Sequence, residues 1–386
     1  MTVPDMDLLP EEQRELLELV RTVVEDKLAP AAERYEREHT FPRPLFEQLA
    51  RMDLTGLPFD ESVGGLAMPY SAMLAVIEEV SRGYTALGMG LSVHTLATWG
   101  IDAHATLEQR ERFVPDMVAG RCLGAYSLSE PGSGSDAAGL TTRAVRDGDT
   151  YRITGTKAWV THGGVADRYL VMARTGDEGA RGISAFVVDA DQPGLSVTEP
   201  EDKIAMWSSP TAQLVFEDAP VSVDRLLGGR EGEGFRVALA SLDGGRLGIA
   251  ACAVGLAQAA LDAAVDYARE REQFGRTIDR FQGVGFLLAD MAARTEASRA
   301  LYRAAAARRD RGLAFGHQAA MAKLVATDAA MQTTTDAVQV LGGYGLTRDF
   351  PVERYLREAK ILQIVEGTNQ IQRLVIARGL TGRTPW

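Results

Sequence analysis

Near its C-terminus the chain reads Ile364-Val365-Glu366-Gly367-Thr368-Asn369-Gln370-Ile371-Gln372-Arg373, one acid among aliphatic residues with no basic neighbour before Arg373. Desolvation raises a carboxylate pKa, and a general base works best when its pKa approaches the working pH. Glu366, beside Val365 and made approachable by Gly367, has the chemistry of such a base. The same residues also describe a helix start, in which Thr368 or Asn369 caps a helix running on from Gln370 and Glu366 favours the positive end of its dipole. Taken alone, the segment leaves both readings open.

Further segments offer surfaces to a ligand. Tyr126-Ser127-Leu128-Ser129-Glu130-Pro131-Gly132-Ser133-Gly134-Ser135-Asp136 is rich in hydroxyls and glycine, and such a loop presents N–H and O–H donors to an anionic or polyoxygenated molecule. It contains a Gly-x-Gly-x-x-Ala string, but Thr141 to Val145 then reads as a strand and no βα alternation surrounds it, so a dinucleotide fingerprint does not follow. In Gly155-Thr156-Lys157-Ala158-Trp159-Val160-Thr161, strand alternation puts Trp159 and Thr161 on one face, an aromatic wall and a hydroxyl suited to a planar heterocycle. Arg269 to Arg276 holds guanidinium groups for a phosphate, and Gln339-Val340-Leu341-Gly342-Gly343 has backbone that a ligand can approach closely. Each segment also has an ordinary reading as a loop, a core strand, a helix end or a turn.

The elements that must position these groups follow from hydrophobic period. From Glu11 to about Gly120 the pattern is helical, with Leu16, Leu19, Val20 and Val23 on one face and Met73, Leu74, Ile77 and Val80 on another. The Gly- and Pro-bearing stretch from Gly56 to Pro69 separates helices. From about Leu123 to Leu227 short β-branched segments predict antiparallel strands at 151–160, 169–173, 183–188, 195–198 and 213–216. From Gly234 onward alanine-rich helices are predicted near 235–270, 281–311 and 315–341. The expected division is an α-helical segment 1–122, a β-domain 123–233 and an α-helical segment 234–386.

Composition excludes several functions. A length of 386 residues supports two or three domains, and 46% hydrophobic with 24% charged residues is ordinary for a globular chain. A net charge of −12 argues against nucleic-acid binding, which needs clustered Lys and Arg, and the one dense basic run, Arg303 to Arg311, reads as a solvated helix face. Cys122 and Cys252 read as small core residues of a reduced compartment, and the five dispersed histidines offer no metal-ligand spacing. The acidic opening Met1 to Leu9 lacks a targeting pattern, and no uninterrupted apolar run approaches the roughly 18 residues of a membrane span. A cytoplasmic protein away from membranes is the expectation.

In their order and separation these segments resemble the acyl-CoA dehydrogenase family over essentially the whole chain, on Leu128 to Asp136, Trp159-Val160-Thr161, Arg271 to Phe274, Gln339 to Gly343 and Glu366-Gly367-Thr368. The resemblance implies an α+β fold with an N-terminal helical domain, a middle β-domain and a C-terminal four-helix-bundle domain. It implies FAD, with Glu366 taking the α-proton of an acyl-CoA thioester while the β-hydrogen leaves as hydride to the flavin. The Glu366 N–H and a ribityl hydroxyl would polarise the thioester carbonyl, and oxyanion-type donors contribute about 3 kcal/mol each. Tyr126, Leu128, Ser129, Trp159 and Thr161 resemble the residues that line the flavin ring, with Thr368 and Gln370 also touching FAD. Arg271, Gln273, Phe274, Gln282, Gln339, Gly342 and Gly343 match positions that hold the adenine and pyrophosphate half of an FAD bound by a neighbouring subunit, which implies a homotetramer, a dimer of dimers. Ser135, Asp243 and Arg246 match positions at the CoA portion or thioester end, and Gly367 leaves room for the substrate. Electron transfer flavoprotein is the implied electron acceptor; an oxygen-reactive oxidase-like enzyme and a non-catalytic flavin-binding homologue are the alternatives.

Departures from the family pattern are Ser127, where a small apolar residue is usual, and Ala205 and Trp207, where glycine and arginine are common. In some branches the base comes instead from the helix before Arg246, where this chain has Gly244-Gly245. Leu91 to Thr95 and a base at Glu366 resemble the short-chain and short branched-chain members, with a C4 to C6 acyl group expected. A secondary-metabolism thioester is the competitor.

Overall fold

The computed structural model describes residues 10–177 and 179–382, so the acidic opening 1–9 lies outside the described residues. Helix α1 (Glu11–Val23) runs through a π turn into α2 (Ala29–Glu38), followed by α3 (Arg43–Arg51), α4 (Tyr70–Gly83), α5 (Thr85–Asp102) and α6 (Leu107–Val118). Helix α6 begins with a capping box in which the Thr106 hydroxyl and the Gln109 side chain satisfy each other's backbone N–H groups. Almost every residue of α5 is buried, as expected of a helix apolar all round.

The middle region contains β1 (Gly124–Ser127), β2 (Arg143–Asp147), β3 (Thr150–Thr161), β4 (Arg168–Arg174), β5 (Ile183–Asp189), β6 (Leu195–Val197) and β7 (Thr211–Ser222). They form a sheet in the order β1-β4-β2-β3-β7-β6, with β5 also paired to β4. The expectation of purely antiparallel strands is corrected here: β1 pairs β4 in parallel, and β2 touches β4 in parallel at Arg143 and Arg174. The long excursion through the 128–136 loop and the β2–β3 hairpin separates β1 from β4, giving the chain length a parallel pairing needs. Strand β7 also extends well past the predicted 213–216. Its hydrophobic alternation breaks at Glu217-Asp218, where the register slips against β3 and Asp218 has φ +50°, a bulge that hides the second half of the strand from a period-two reading.

Two buried histidines fix β1 against the helices. The Gly124 N–H donates to His94 Nδ1 at 2.9 Å, His94 Nε2 donates to the Met117 carbonyl, and His162 Nδ1 donates to the Gly124 carbonyl at 3.0 Å. The two roles of His94 require a neutral ring, and burial pushes the pKa values of His94 and His162 down to about 3 and about 4.

The C-terminal region opens with α7 (Gly234–Glu270) and a small hairpin of β8 (Glu272–Gln273) and β9 (Arg276–Thr277). Phe274 and Gly275 turn that hairpin with φ of +51° and +76°, the backbone of a tight primed turn. Helices α8 (Gln282–Asp310), α9 (Gly316–Leu341), α10 (Val352–Leu362) and α11 (Asn369–Thr381) complete the bundle. Helix α7 packs against α4 and α5 as well as α8 and α9. Its small residues make that possible: a Cβ on Gly255 would lie 2.2 Å from the Glu78 carbonyl, and one on Gly248 would lie 2.0 Å from Ser92 Oγ. By length and composition α7 alone, among the described residues, has an apolar window long enough to cross a membrane, but 83% of that window is buried inside the fold. The basic run 303–311 is not wholly a solvated face, because the Arg309 guanidinium lies 3.4 Å from the centre of the Tyr70 ring and also packs near Trp99 and Phe315.

Inside the fold, charges come in pairs. Glu78 of α4 receives Arg299 Nε of α8 at 2.7 Å and the Tyr302 hydroxyl, while Gln258 of α7 accepts from Arg299 Nη2 at 2.9 Å. Beneath the 128–136 loop, Lys157 Nζ donates to Glu130 at 2.8 Å and to the Leu128 carbonyl at 3.1 Å. Glu130 also accepts from the N–H groups of Thr141 and Thr142. Burial opposes the Glu130 charge, but Lys157 and the threonine donors outweigh it and hold the carboxyl down to about 2. Lys157→Met leaves that carboxylate buried without its cation, and breaking such a pair costs about 3–5 kcal/mol. The expected result is a clearly lowered apparent Tm at neutral pH by circular dichroism. The difference from wild type should shrink as the pH falls from about 4.5 toward 2, where the pair's contribution is lost on protonation.

Candidate active site

Between α10 and α11 the chain makes a tight loop around Glu366. The Asn369 N–H donates to the Gln363 carbonyl at 3.0 Å, closing the loop, and the Thr368 hydroxyl caps α11 by accepting from the Ile371 N–H. The helix start expected of the sequence is present, with Thr368 as its cap and Glu366 just outside it. Glu366 and Gly367 lie in the left-handed region, with φ of +53° and +93°, and for Glu366 that conformation costs about 1–2 kcal/mol. Gln372 Nε2 donates to the Gly367 carbonyl at 2.8 Å, and Lys323 Nζ donates to the same carbonyl at 3.0 Å.

The backbone bend aims the Glu366 side chain at α7. A Cβ on Gly245 would sit 2.0 Å from Glu366 Oε2 and 2.3 Å from Leu96 Cδ1, so the carboxylate rests directly on glycine backbone. The residue is only half-buried as a whole, yet both carboxylate oxygens are sealed from solvent and have no hydrogen-bond partner. Burial pushes its pKa up to about 7, against the opposing pull of Lys323 and Arg246. The Glu366 N–H likewise has no acceptor among the described residues.

The 128–136 loop is fastened to β3 by Ala158 N–H donating to the Ser129 carbonyl at 2.9 Å, alongside the Lys157 contacts. A bulge between Lys157 and Val160 puts Trp159 at φ +59° and leaves it 61% exposed, far more than a core tryptophan. Thr161 and Ser129 are half-buried beside it, and Leu128 is buried beneath. Tyr126 donates to the Ala238 carbonyl at 3.3 Å, and burial followed by the nearby Glu366 charge raises its pKa. Thr368 is half-buried and Gln370 exposed at the start of α11. Added Cβ atoms on Gly132 and Gly134 would meet nothing, so the loop tip is open to an approaching ligand.

Arg271, Gln273 and Phe274 lie on the β8–β9 hairpin, Gln282 starts α8, and Gln339, Gly342 and Gly343 end α9. They are all exposed, Phe274 by 94%, and the Arg271 guanidinium over the Tyr344 ring joins hairpin to turn. Among the described residues, the hydrogen bonds and ring contacts of this group run to partners within residues 267–350. At the other end of α7, Arg246 Nη1 donates to Asp243 Oδ1 at 2.6 Å, while its Nε is buried without a partner. Asp243 helps to line a cavity of about 410 Å³ with His317, Val375 and Arg378. Ser135 is exposed on the loop tip.

Family models for the acyl-CoA dehydrogenase N-terminal, middle and C-terminal domains match residues 10–121, 125–219 and 232–381. The chain belongs to the acyl-CoA dehydrogenase family. It is 46% identical to an acyl-CoA dehydrogenase of Bacillus subtilis (strain 168) over 376 residues, covering 97% of this chain and 99% of that one. Butyryl-CoA dehydrogenase from Megasphaera elsdenii superposes with a TM-score of 0.94 at 39% identity, covering 96% of this chain and 98% of that one. A chain from the structural work on the electron transferring flavoprotein of Acidaminococcus fermentans gives a TM-score of 0.95 at 42% identity, covering 97% and 99%.

At the departures from the family pattern, Ala205 is buried, and the Trp207 ring stacks on His39 at 4.8 Å while its backbone N–H donates to Glu36. Sequence reasoning did not find Lys323, Gln372, His317 or Arg378. A lysine in an alanine-rich helix and a glutamine one turn into α11 carry no one-dimensional signal, because their partners are backbone carbonyls more than one element away or across a turn. Gly245 was noted only for lacking an acid, yet its missing side chain is what admits Glu366. Gly245→Ala should displace the carboxylate and lower flavin reduction by butyryl-CoA about 10²-fold, measured by anaerobic stopped-flow absorbance, and the clash of the same Cβ with buried Leu96 should lower Tm as well.

Proposed function

We propose that this chain dehydrogenates a short or short branched acyl-CoA to its trans-2-enoyl-CoA, with Glu366 as the base for the α-proton. The observation that carries the reading is the sealed, unpartnered carboxylate resting on Gly245. An unpaired buried acid is costly to keep in a fold, and it is unusual outside a functional site. Its Coulombic neighbours Lys323 and Arg246 restrain the rise in pKa, so the base ionises at about pH 7 and a substantial fraction is ionised at neutrality. The free Glu366 N–H is a ready donor for a thioester carbonyl, which must be polarised before its α-carbon becomes acidic enough for a carboxylate.

The exposed Trp159, the hydroxyls of Ser129, Thr161 and Thr368, and the open Gly132–Gly134 turn suit the ring of FAD. When bound, FAD supplies the acceptor for the β-hydrogen and its electron pair. Arg271, Gln273, Phe274, Gln282, Gln339, Gly342 and Gly343 would hold the adenine end of a neighbouring copy's cofactor; their exposure supports a homotetramer. Asp243 and Arg246, with Ser135, would meet the CoA portion, Asp243 lining a cavity together with His317 and Arg378. Likeness to butyryl-CoA dehydrogenase favours a C4 to C6 acyl group. Electron transfer flavoprotein is the proposed acceptor partner, and a cytoplasmic location fits the two free buried thiols.

Glu366→Gln should keep bound flavin and its yellow colour while turnover falls about 10³-fold or more; normal turnover in that variant sinks the assignment. In the wild type kcat/KM should rise with pH through about 7, because below it the base carries a proton. A flat profile across that range speaks against Glu366. The acyl group is tested by anaerobic titration with acetyl-, butyryl-, isobutyryl-, 2-methylbutyryl- and octanoyl-CoA. Bleaching of the visible flavin spectrum by butyryl- or a branched thioester, and not by acetyl- or octanoyl-CoA, is the expected result.

A further inference from the structure

Helix α9 runs beneath the Glu366 loop and meets it with three residues of one face, Lys323, Thr327 and Asp328. Lys323 is wholly buried. Its Nζ donates to the Gln363 carbonyl at 3.1 Å, the Gly367 carbonyl at 3.0 Å and Asn369 Oδ1 at 2.9 Å. Three acceptors match the three donors of an ammonium group, and no carboxylate is among them. Asn369 Nδ2 then donates to Thr327 Oγ1 at 2.9 Å and to Asp328 Oδ1 at 2.7 Å, and Gln363 Nε2 donates to the same Asp328 oxygen at 2.7 Å. The side chains of α9 thus grip the loop three residues before Glu366 and one and three residues after it.

We propose that Lys323 is a positioning residue for the reaction: it clamps the loop on both sides of Glu366, holds the left-handed backbone that turns the carboxylate onto Gly245, and supplies one of two positive charges facing that carboxylate. The proposal rests on reading Glu366 as the base. A free loop would relax Glu366 from φ +53° to an ordinary conformation, since nothing in an L-residue favours that region, and the side chain would leave α7. The other groups facing Glu366 are Arg246 and Cys252 of α7, Tyr70 of α4 and Tyr126 of β1. Burial lowers the Lys323 pKa to about 7 against the pull of Glu366 and Asp328, so removing Lys323 takes away a cation that is fully present only below that pH and leaves Arg246 as the other positive group facing the base. A purely structural role, capping the last carbonyls of α10, would change stability without altering the proton affinity of Glu366.

The test uses the flavin-loaded enzyme, with anaerobic flavin bleaching by butyryl-CoA followed in stopped flow from about pH 6 to about pH 9 and Tm recorded in parallel. Lys323→Met should lower the limiting bleaching rate about tenfold or more, change the half-saturating substrate concentration less than about threefold, and move the rising limb to higher pH, because loss of a nearby cation raises a carboxylate pKa. Lys323→Gln, which keeps an amide donor without the charge, should recover part of the rate and retain the displaced limb; it also decides the question if Lys323→Met fails to fold. A folded, flavin-loaded variant with unchanged rate and limb overturns the clamp even if only its Tm has fallen. Normal turnover by Glu366→Gln overturns instead the assignment of the base on which the clamp rests.

Discussion

The close approach of α7 to its neighbours is the constraint on which the rest of the structure depends. At Gly248 and Gly255 any side chain would strike Ser92 or the Glu78 backbone, and at Gly245 it would strike the Glu366 carboxylate. The glycines that let α4 and α5 lie against α7 are therefore continuous with the one that lets an acid lie there. Packing of the helical core and seating of the base share one helix face. Small residues contribute little transfer free energy themselves, so the stability of this contact comes from the apolar side chains around it, such as Leu87, Leu91, Leu247 and Leu256.

Charge is handled in two ways inside the protein. Glu130 with Lys157, and Glu78 with Arg299, are paired and surrounded by donors, and they tie distant segments together. Glu366 has neither a partner nor a hydrogen bond on its carboxylate. At Glu130 the Lys157 charge and the threonine donors outweigh burial, whereas at Glu366 burial prevails because its cations stand off rather than touch.

The ligand-facing surfaces show the same economy of backbone strain. Trp159, Phe274 and Glu366 are all non-glycine residues at positive φ, and each stands at a surface to which the sequence assigned ligand contact. Strain at such positions persists only where surrounding contacts over-determine the backbone. At Trp159 the strand bulge and the Ala158–Ser129 hydrogen bond do this, at Phe274 the hairpin turn, and at Glu366 the contacts from α9 and Gln372.

Much was legible from sequence because it is written locally. Periodicity and turn residues marked the helix–sheet–helix order, the three long helices 234–270, 282–310 and 316–341, and the cap at Thr368; glycine flanking and apolar neighbours singled out Glu366. What tertiary structure alone decided is non-local. The parallel pairing of β1 with β4 joins segments more than forty residues apart in register, and the bulge at Asp218 depends on its partner strand, so neither leaves a periodic trace. Lys323 reads as one more lysine on an alanine-rich helix until the fold sets the 363–369 carbonyls around its ammonium group. The acid's position was thus legible from its own sequence neighbours, whereas its direction onto Gly245, the burial that raises its pKa, and the Lys323 and Arg246 charges that restrain that rise come from other helices, brought to it by packing that no one-dimensional pattern encodes.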